Sequence, residues 1–364
     1  MVEIKRRAFR DVDWLLVLSP VALTLFGCLG IYSTAPDSDF VKKQVVSLAI
    51  GLVIAGVIMF TDYRKIIMTI APFFYAAVIV LLILVLTPLG TEVNGNQAWL
   101  RIAGFSLQPS EFAKVATILM LARYLAQARS GSLSLRDILL MAAIALPPII
   151  LIQLENDTGT MLTFGAILGA FYFLGGMRKV ILVGGAVAVV IGLIAVYPHL
   201  KPYQQERIRV VWEPEKADPR GYGYQTIQSM IAVGSGGLMG KGVGEGTQGK
   251  LGFLPFAYSD FIAAVIAEET GFLGITLMLI LYIALIWRLI AVARNARDRA
   301  GAMTVMGFVA LITFHIACSL GMVVGLLPIM GIPLPLMSYG GTSVMAMFAG
   351  VGLALSVRLK RFVN

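Results

Sequence analysis

Charged residues are scarce in this sequence of 364 residues. Asp, Glu, Lys and Arg make up only 13% of the chain and hydrophobic residues 58%, whereas soluble domains usually carry about 25% charged residues. Several apolar runs exceed 17 residues without a charge, which is long enough to cross a bilayer as a helix. This scarcity of charge excludes an ordinary soluble protein, and the apolar runs predict a polytopic membrane protein.

Cysteine and histidine are also rare, with two of each. Cys28 and Cys318 lie inside apolar runs, where a thiol is typical of a small core residue and not of a disulfide or a zinc ligand. His199 and His315 lie far apart in the sequence, which argues against a histidine-based metal site. The net charge of +9 would suit nucleic acid or an acidic lipid surface. Its distribution favours the membrane, and we expect no nucleic-acid partner.

The apolar runs predict ten membrane-spanning helices. Their approximate bounds are 14–34, 44–61, 67–88, 110–127, 137–153, 159–176, 179–197, 260–287, 302–327 and 338–357. We therefore expect an all-α polytopic fold that forms a single transmembrane domain over residues 1–364. Residues 198–259 form a long, charged and Gly-rich loop between spans seven and eight, and loops longer than ~15 residues usually have a function.

The distribution of basic residues predicts the orientation, because Lys and Arg concentrate in the cytoplasmic connections of membrane proteins. With the N-terminus inside, the inner segments hold 18 of the 29 Lys and Arg residues. Both termini are therefore expected in the cytoplasm and the loop 198–259 outside. The basic stretch that contains Lys5, Arg6, Arg7 and Arg10 is too charged, and the following run too long, for a cleaved signal peptide.

A first group of polar residues lies before and at the start of span four: Arg101, Gln108, Ser110, Glu111 and Lys114. Pro109 suits the first turn of a helix, which Gln108 or Ser110 could cap. Glu111 and Lys114 are three residues apart and share a helix face. Lys114 is therefore either a snorkelling residue paired with Glu111 or a cationic site for an anionic headgroup, because ionisable residues at membrane depth suggest function.

Two further groups lie in other outer connections. Asp157, between spans five and six, is either an ordinary helix cap or a site residue. In the long loop, residues 225–232, which include Gln228, have helical spacing. Lys241 follows within the Gly-rich stretch 234–252, where backbone N–H groups can approach a phosphate closely, although flexible filler is the alternative.

Asp260 stands at the outer start of span eight. The helix dipole favours a carboxylate there, so Asp260 is either an N-terminal cap or, if it is buried in a cavity, a general base. Glu268 and Glu269 lie about 12–13 Å further along the helix, too far to share a proton with Asp260.

Residues 325–343 include Ser338 and Tyr339. The prolines and glycines in this segment forbid a continuous helix and indicate either a plain hairpin or a cavity lining.

Together these segments resemble the SEDS family (shape, elongation, division and sporulation proteins). In order, the resemblance rests on Gln108-Pro109-Ser110-Glu111, on residues 229–242, on Ser259-Asp260-Phe261 with Ala267-Glu268-Glu269, and on Gly331-Ile332-Pro333-Leu334-Pro335 with Ser338-Tyr339-Gly340-Gly341. It covers nearly the whole chain. The Gly-Ile-Pro-Leu-Pro stretch is similar to the elongation branch of the family.

The resemblance implies a SEDS-type fold and a peptidoglycan glycosyltransferase that polymerises lipid II during cell-wall elongation. It places an inverting transfer from a lipid-pyrophosphate donor at the outer face of the bacterial cytoplasmic (inner) membrane, with Asp260 as general base. The expected substrate-binding residues are Arg101, Gln108, Ser110, Glu111, Lys114, Asp157, Gln228, Lys241, Ser338 and Tyr339. Arg101, Lys114 or a divalent cation, Mg²⁺ or Mn²⁺, could neutralise the leaving pyrophosphate. The candidate ligands of such a cation are Glu111, Asp157 and Asp260, and no organic cofactor is expected.

The expected partners are lipid II, membrane lipid, a class B penicillin-binding protein that acts as transpeptidase, and the elongation machinery. Two other functions compete with the enzyme: a flippase for lipid II or another lipid-linked sugar, and a scaffold that only recruits the penicillin-binding protein. A flippase needs charges along the whole membrane depth. The enzyme is favoured because the candidate charges lie near the outer face: Arg101, Glu111, Lys114, Asp157 and Asp260.

Overall fold

The computed structural model describes residues 12–93, 95–102, 105–128, 132–199, 202–212 and 222–362. Most of these residues are helical. In chain order the helices are α1 (Trp14–Thr34), α2 (Phe40–Phe60), α3 (Tyr63–Val85), α4 (Pro109–Gln127), α5 (Leu135–Leu154), α6 (Thr158–Leu174), α7 (Lys179–Val196), α8 (Pro202–Trp212), α9 (Tyr222–Ser235), α10 (Thr247–Lys250), α11 (Ile262–Arg294), α12 (Arg299–Val323) and α13 (Gly341–Leu359).

Each predicted span coincides with one of the helices α1–α7 and α11–α13. Seven of them are long and apolar enough to cross a membrane, namely α1, α2, α3, α5, α11, α12 and α13. Helix α4 is more polar because it carries Glu111, Lys114 and Arg123, and α6 is short, with 17 residues. The predicted all-α polytopic membrane fold is confirmed.

One small sheet adds to this helical fold. The connection between α3 and α4 forms three antiparallel strands, β1 (Gly90–Val93), β2 (Asn96–Ile102) and β3 (Phe105–Leu107). The sequence did not predict this sheet, because three such short strands show little alternation of apolar and polar residues. The last strand ends two residues before Pro109, which occupies the first turn of α4 as predicted.

The predicted loop 198–259 contains secondary structure. Helices α8, α9 and α10 lie within it, and α9 includes residues 225–232, whose spacing predicts a helix. The hydroxyl of Ser229 donates a hydrogen bond to the carbonyl of Val323, at the end of α12, at 2.8 Å. This part of the loop is therefore folded onto the membrane helices.

Close helix contacts form the core of the bundle. Helix α13 packs along α2, α11 packs against α1 and α12, and α4 packs against α3 and α12. Small residues allow this approach: a Cβ added to Gly27 of α1 would lie 2.2 Å from the carbonyl oxygen of Met337. The outward faces carry exposed apolar side chains such as Phe73 and Val180, as expected for a surface that contacts lipid tails.

Candidate active site

Residues 324–340, between α12 and α13, form an irregular stretch that we call the broken segment. Pro328, Pro333 and Pro335 supply no backbone N–H group and so prevent helical pairing, and Gly331 adopts a φ of 68°. Several of its apolar side chains are almost fully buried. The prediction that this stretch is not a continuous helix is confirmed, and its burial fits the rule for irregular backbone at membrane depth.

Two hydrogen bonds join the broken segment to the residues before α11. The buried hydroxyl of Ser338 donates to the carbonyl of Ser259 at 2.6 Å. The backbone N–H of Tyr339 donates to the carbonyl of Tyr258 at 2.9 Å. The predicted site residues Ser338 and Tyr339 thus fix the backbone immediately before Asp260.

Asp260 is half-buried and precedes α11 by two residues. Phe261, not Asp260, occupies the N-cap position of this helix, so the cap interpretation of Asp260 is wrong. A Cβ added to Gly331 would lie 3.8 Å from Oδ2 of Asp260, which places the carboxylate directly beside the broken segment. The N-terminal end of α11 also favours negative charge at this position.

Asp157 lies in the turn between α5 and α6 and is 7% exposed. It caps α6, because Thr160 donates its N–H to Oδ1 at 2.9 Å and its hydroxyl to Oδ2 at 2.8 Å. Gln108 donates to the same Oδ2 from the start of α4 at 3.4 Å. Burial raises the pKa of Asp157, and the hydrogen bonds from Thr160 oppose that rise. Asp157 is therefore a helix cap that also contacts another predicted site residue.

Gly159 allows the start of α6, which Asp157 caps, to contact the broken segment. A Cβ added to Gly159 would lie 2.1 Å from the carbonyl oxygen of Met330, a distance that no larger residue can accept. The next residue of the segment, Gly331, is the one beside Asp260. Gly159, two residues after Asp157, and Asp260, about 100 residues further along the sequence, thus border the same two-residue stretch.

Four helices begin near the broken segment: α4, α6, α11 and α13. Thr342 joins two of these starts, because its hydroxyl accepts from the N–H of Gln108 and donates to the carbonyl of Ser106, both at 3.2 Å. Helix N-termini carry partial positive charge and attract anions. This arrangement therefore suits a ligand that carries phosphate.

A buried ion pair lies one turn into α4. The ammonium of Lys114 is 2.6 Å from Oε1 of Glu111, and the two side chains are 1% and 3% exposed. The predicted pairing is confirmed, but the lysine does not snorkel, because surrounding side chains enclose it. Oε2 of Glu111 and the hydroxyl of Ser110 have no hydrogen-bond partner among the residues that the structure describes. The pair carries no net charge.

Glu268 and Glu269 belong to a separate cluster. The Lys241 ammonium is 2.6 Å from Oε1 of Glu268, which also accepts from the hydroxyl of Thr247 at 2.8 Å. Glu269 accepts a hydrogen bond from the hydroxyl of Ser33. The two acids thus find partners within the chain. Lys241 attaches the Gly-rich stretch to α11, and its proposed role in binding phosphate stays a prediction.

The remaining predicted residues lie on elements around this cluster. Arg101 is exposed on β2, where it pairs with Ser106 of β3. Gln228 is half-buried on α9. The Tyr339 ring joins an aromatic group, with ring centroids 4.4 Å from Phe40 and 5.9 Å from Tyr258. For Arg101 and Gln228, binding of substrate stays a prediction.

Three buried polar residues were not predicted as site residues. Gln44 of α2 donates to the carbonyl of Ser338 at 3.0 Å and accepts from the N–H of Gly340 at 3.2 Å. Glu155 is fully buried, and burial, followed by the charge of Asp157, raises its pKa to about 8. His315 contacts the broken segment through the carbonyl of Pro333. In the sequence, each of the three can be recognised as a polar residue within or beside an apolar run.

The three candidate metal ligands do not form a joint site. Within the described ranges, no three His, Cys, Asp or Glu side chains are close enough together to hold a metal ion. Glu111 is ion-paired with Lys114, and both oxygens of Asp157 already accept hydrogen bonds. A requirement for a divalent cation stays a prediction.

The fold and this cluster define a polytopic membrane protein with an acidic site where several helices begin. Residues 14–362 match the family model described as "Cell cycle protein", which is named for FtsW, RodA and SpoVE. The chain belongs to this family, which is the SEDS family that its motifs indicate.

Relatives match over nearly their whole length. The peptidoglycan glycosyltransferase MrdB of Escherichia coli (strain K12) is 37% identical, over 96% of this chain and 94% of its own. Stage V sporulation protein E of Bacillus subtilis is 35% identical, over 95% and 96%. The probable peptidoglycan glycosyltransferase FtsW of Trichlorobacter lovleyi is 33% identical, over 98% and 96%.

Solved structures share the fold. A chain in the structure of a peptidoglycan synthase complex, described as coordinating polymerization and crosslinking, matches with a TM-score of 0.83 and 34% identity, over 97% of this chain and 99% of that chain. The rod shape determining protein RodA of Thermus thermophilus matches with a TM-score of 0.72 and 29% identity, over 97% and 98%. The resemblance to the elongation branch, which contains RodA, is thereby supported.

Proposed function

We propose that this protein is a peptidoglycan glycosyltransferase that polymerises lipid II, with Asp260 as its general base. One observation carries the proposal: the half-buried carboxylate of Asp260 lies beside Gly331, on backbone held by Ser338 and Tyr339, where four helices begin. The glycosyltransferase names of its relatives support the reaction class.

The chemistry of the base follows from its position. The 4-hydroxyl of the acceptor sugar gives its proton to the carboxylate of Asp260 while its oxygen attacks the anomeric carbon of the donor. The bond from that carbon to the pyrophosphate oxygen breaks, and the lipid pyrophosphate leaves from the opposite face with the electron pair. The transfer therefore inverts the configuration. A carboxylate is a suitable base when it is fixed within hydrogen-bond reach of the hydroxyl.

The leaving pyrophosphate needs positive charge more than it needs a protein acid. Lys114 contributes little net charge because Glu111 neutralises it at 2.6 Å. The N-terminal ends of α4, α6 and α13 and the exposed guanidinium of Arg101 are the sources that we assign to this role. The lipid tail would lie against the apolar outer faces of the helices.

We place the reaction at the outer face of the bacterial inner membrane, with both termini in the cytoplasm. Supporting this, Asp13 of the α1 N-terminus pairs with Arg288 and Arg358, near the C-terminal ends of α11 and α13. Asp260 lies at the opposite end of α11. Basic residues concentrate on the cytoplasmic side, so the end with Asp260 faces outward.

A class B penicillin-binding protein is the partner that we assign to this chain, within the elongation machinery. The matched chain of the peptidoglycan synthase complex supports this assignment, because that complex is described as coordinating polymerization with crosslinking. Such a partner would crosslink the glycan that this protein makes.

The test compares purified wild-type protein with Asp260→Asn in a lipid II polymerisation assay. Loss of a general base lowers the rate by about 10²–10⁴-fold, so we expect long glycan from wild type and almost none from the variant. Asp39→Asn is the matched control, because Asp39 is an exposed aspartate that pairs with Lys42 in the first outer connection. Its rate should equal wild type.

Three outcomes would contradict the proposal. Polymerisation by Asp260→Asn at the wild-type rate would exclude Asp260 as the base. Movement of lipid II across vesicles by wild-type protein, without any glycan, would identify a flippase. Normal cell shape with Asp260→Asn, when assembly with the partner is intact, would identify a scaffold.

A further inference from the structure

Three aromatic side chains from distant parts of the sequence converge near the start of α11. They are Phe40 of α2, Tyr258 before α11 and Tyr339 of the broken segment. The ring centroid of Phe40 is 4.8 Å from that of Tyr258 and 4.4 Å from that of Tyr339, and the two tyrosine rings lie 5.9 Å apart, edge to face. All three are half-buried, so this group, which we call the aromatic platform, keeps an accessible part.

The platform adjoins the carboxylate of Asp260. In a tight turn, the carbonyl of Phe256 accepts from the N–H of Ser259 at 3.0 Å and from that of Asp260 at 3.1 Å. Phe256 has a φ of 55°, a left-handed conformation that is costly for residues other than glycine and clusters at functional sites. Burial, followed by the charge of Asp260, raises the pKa of Tyr258, as expected for a phenol near a carboxylate. The turn thus presents Tyr258 and Asp260 side by side.

A buried amide fixes the platform from the side of α2. Gln44 is fully buried and lies four residues after Phe40, on the same face of the helix. Its amide donates to the carbonyl of Ser338 at 3.0 Å and accepts from the N–H of Gly340 at 3.2 Å, the two residues that flank Tyr339. The rings are therefore held in place before a ligand arrives, which lowers the entropic cost of binding.

We infer that the aromatic platform binds a sugar ring of the lipid-linked substrate through the apolar C–H face of that ring. The inference rests on the proposed function. The faces of aromatic rings carry partial negative charge and attract the partially positive C–H groups of a hexose. Within the described part of the chain, the hydroxyls of Tyr258 and Tyr339 bond to no other residue, so they can bind sugar hydroxyls. The charge of Asp260 disfavours an anion here, and an isoprenoid chain has no partner for two hydroxyls.

The experiment measures binding of two lipids to the purified full-length protein in nanodiscs. The probes are lipid II and undecaprenyl pyrophosphate, which lacks the sugars, and every protein carries Asp260→Asn so that no turnover occurs. Phe40→Leu keeps apolar bulk but removes the aromatic face. It should weaken binding of lipid II about threefold to tenfold and leave binding of undecaprenyl pyrophosphate unchanged. Phe40→Tyr keeps the ring and should bind both probes as tightly as the parent protein does.

Tyr258→Leu is the second variant and should give the same selective loss. Phe253→Leu is the matched control, because Phe253 is an exposed aromatic residue between α10 and α11 that is not part of the platform. Its binding of both probes should be unchanged. Equal loss of both probes in Phe40→Leu would assign the platform to the lipid tail or the pyrophosphate. Unchanged lipid II binding by folded Phe40→Leu and Tyr258→Leu would remove the rings from the site. Either result overturns the inference.

The polymerisation assay tests the proposed function separately from the platform. If the protein with Asp260 intact made no glycan, the proposed function would fail. A selective loss of lipid II binding in Phe40→Leu would still support a sugar site on the platform.

Discussion

The hydroxyl of Ser338 lies 2.6 Å from the carbonyl oxygen of Ser259 and donates a hydrogen bond to it. The two residues are 79 positions apart in the sequence. This contact makes the broken segment a support for the backbone that carries Asp260.

Ser338→Ala should impair catalysis more than folding. The change leaves the carbonyl of Ser259 without its donor, at a cost of about 1–3 kcal/mol, and small displacements of a catalytic group lower rates by about tenfold to a hundredfold. Lipid II polymerisation and thermal unfolding together measure the two effects. Ser259→Ala is the control, because it removes a hydroxyl that donates to the carbonyl of Phe256 and keeps the carbonyl of Ser259. Equal rates for both variants would contradict a positioning role.

The buried pair of Lys114 and Glu111 predicts a charge-dependent stability. Glu111→Gln leaves the enclosed ammonium without its counter-charge and should lower the free energy of unfolding by about 3–5 kcal/mol. The double variant Lys114→Met/Glu111→Gln removes both charges and should recover most of that loss. Chemical denaturation in detergent measures both. A double variant that is stable but inactive would assign Lys114 to substrate binding, whereas an unchanged single variant would show that the pair is not enclosed.

The raised pKa of Glu155 predicts that the stability of the protein depends on pH. The pKa of Glu155 is raised from the ordinary value of 4.5 to about 8 in the folded protein. Between these values the folded state keeps a proton that the unfolded state releases. The free energy of unfolding should therefore decrease by about 1.4 kcal/mol per pH unit from roughly pH 4.5 to 8 and then level off.

Glu155→Gln preserves the shape of the side chain and removes its titration. Unfolding curves from pH 5 to 8.5 should therefore show a shallower slope for the variant than for wild type. Parallel slopes would mean that Glu155 ionises normally in the folded protein.

The backbone conformation of Gly271 and the close packing around it predict that no other residue fits at this position. Its φ and ψ are 66° and −162°, a conformation essentially restricted to glycine that costs other residues about 1–3 kcal/mol. A Cβ there would also lie 2.3 Å from the backbone nitrogen of Gly240. Gly271→Ala should thus destabilise the protein and detach the Gly-rich stretch, which limited proteolysis would reveal. Gly185→Ala, with open space around it, should be neutral or slightly stabilising, and equal effects would contradict the prediction.

Local patterns in the sequence were sufficient for the membrane helices. Crossing a bilayer depends on the length of an apolar run, a property of neighbouring residues, so all ten spans coincide with helices. The pairing of Glu111 with Lys114 was equally local, because residues three apart share a helix face. The enclosure of Lys114 was not a local property, since it depends on the helices that pack around α4.

The sequence by itself therefore determined the polytopic helical fold, the family and the list of polar residues that deserve testing. Only the tertiary structure decided which of those residues meet. Gln108 reaches Asp157 across 49 residues, and Gln44 reaches Ser338 across 294. Such contacts arise from the packing of distant helices on the broken segment, and periodicity along one helix carries no information about them. That packing brings Asp260 and the turn that carries Asp157, through Gly159, to the same stretch of backbone.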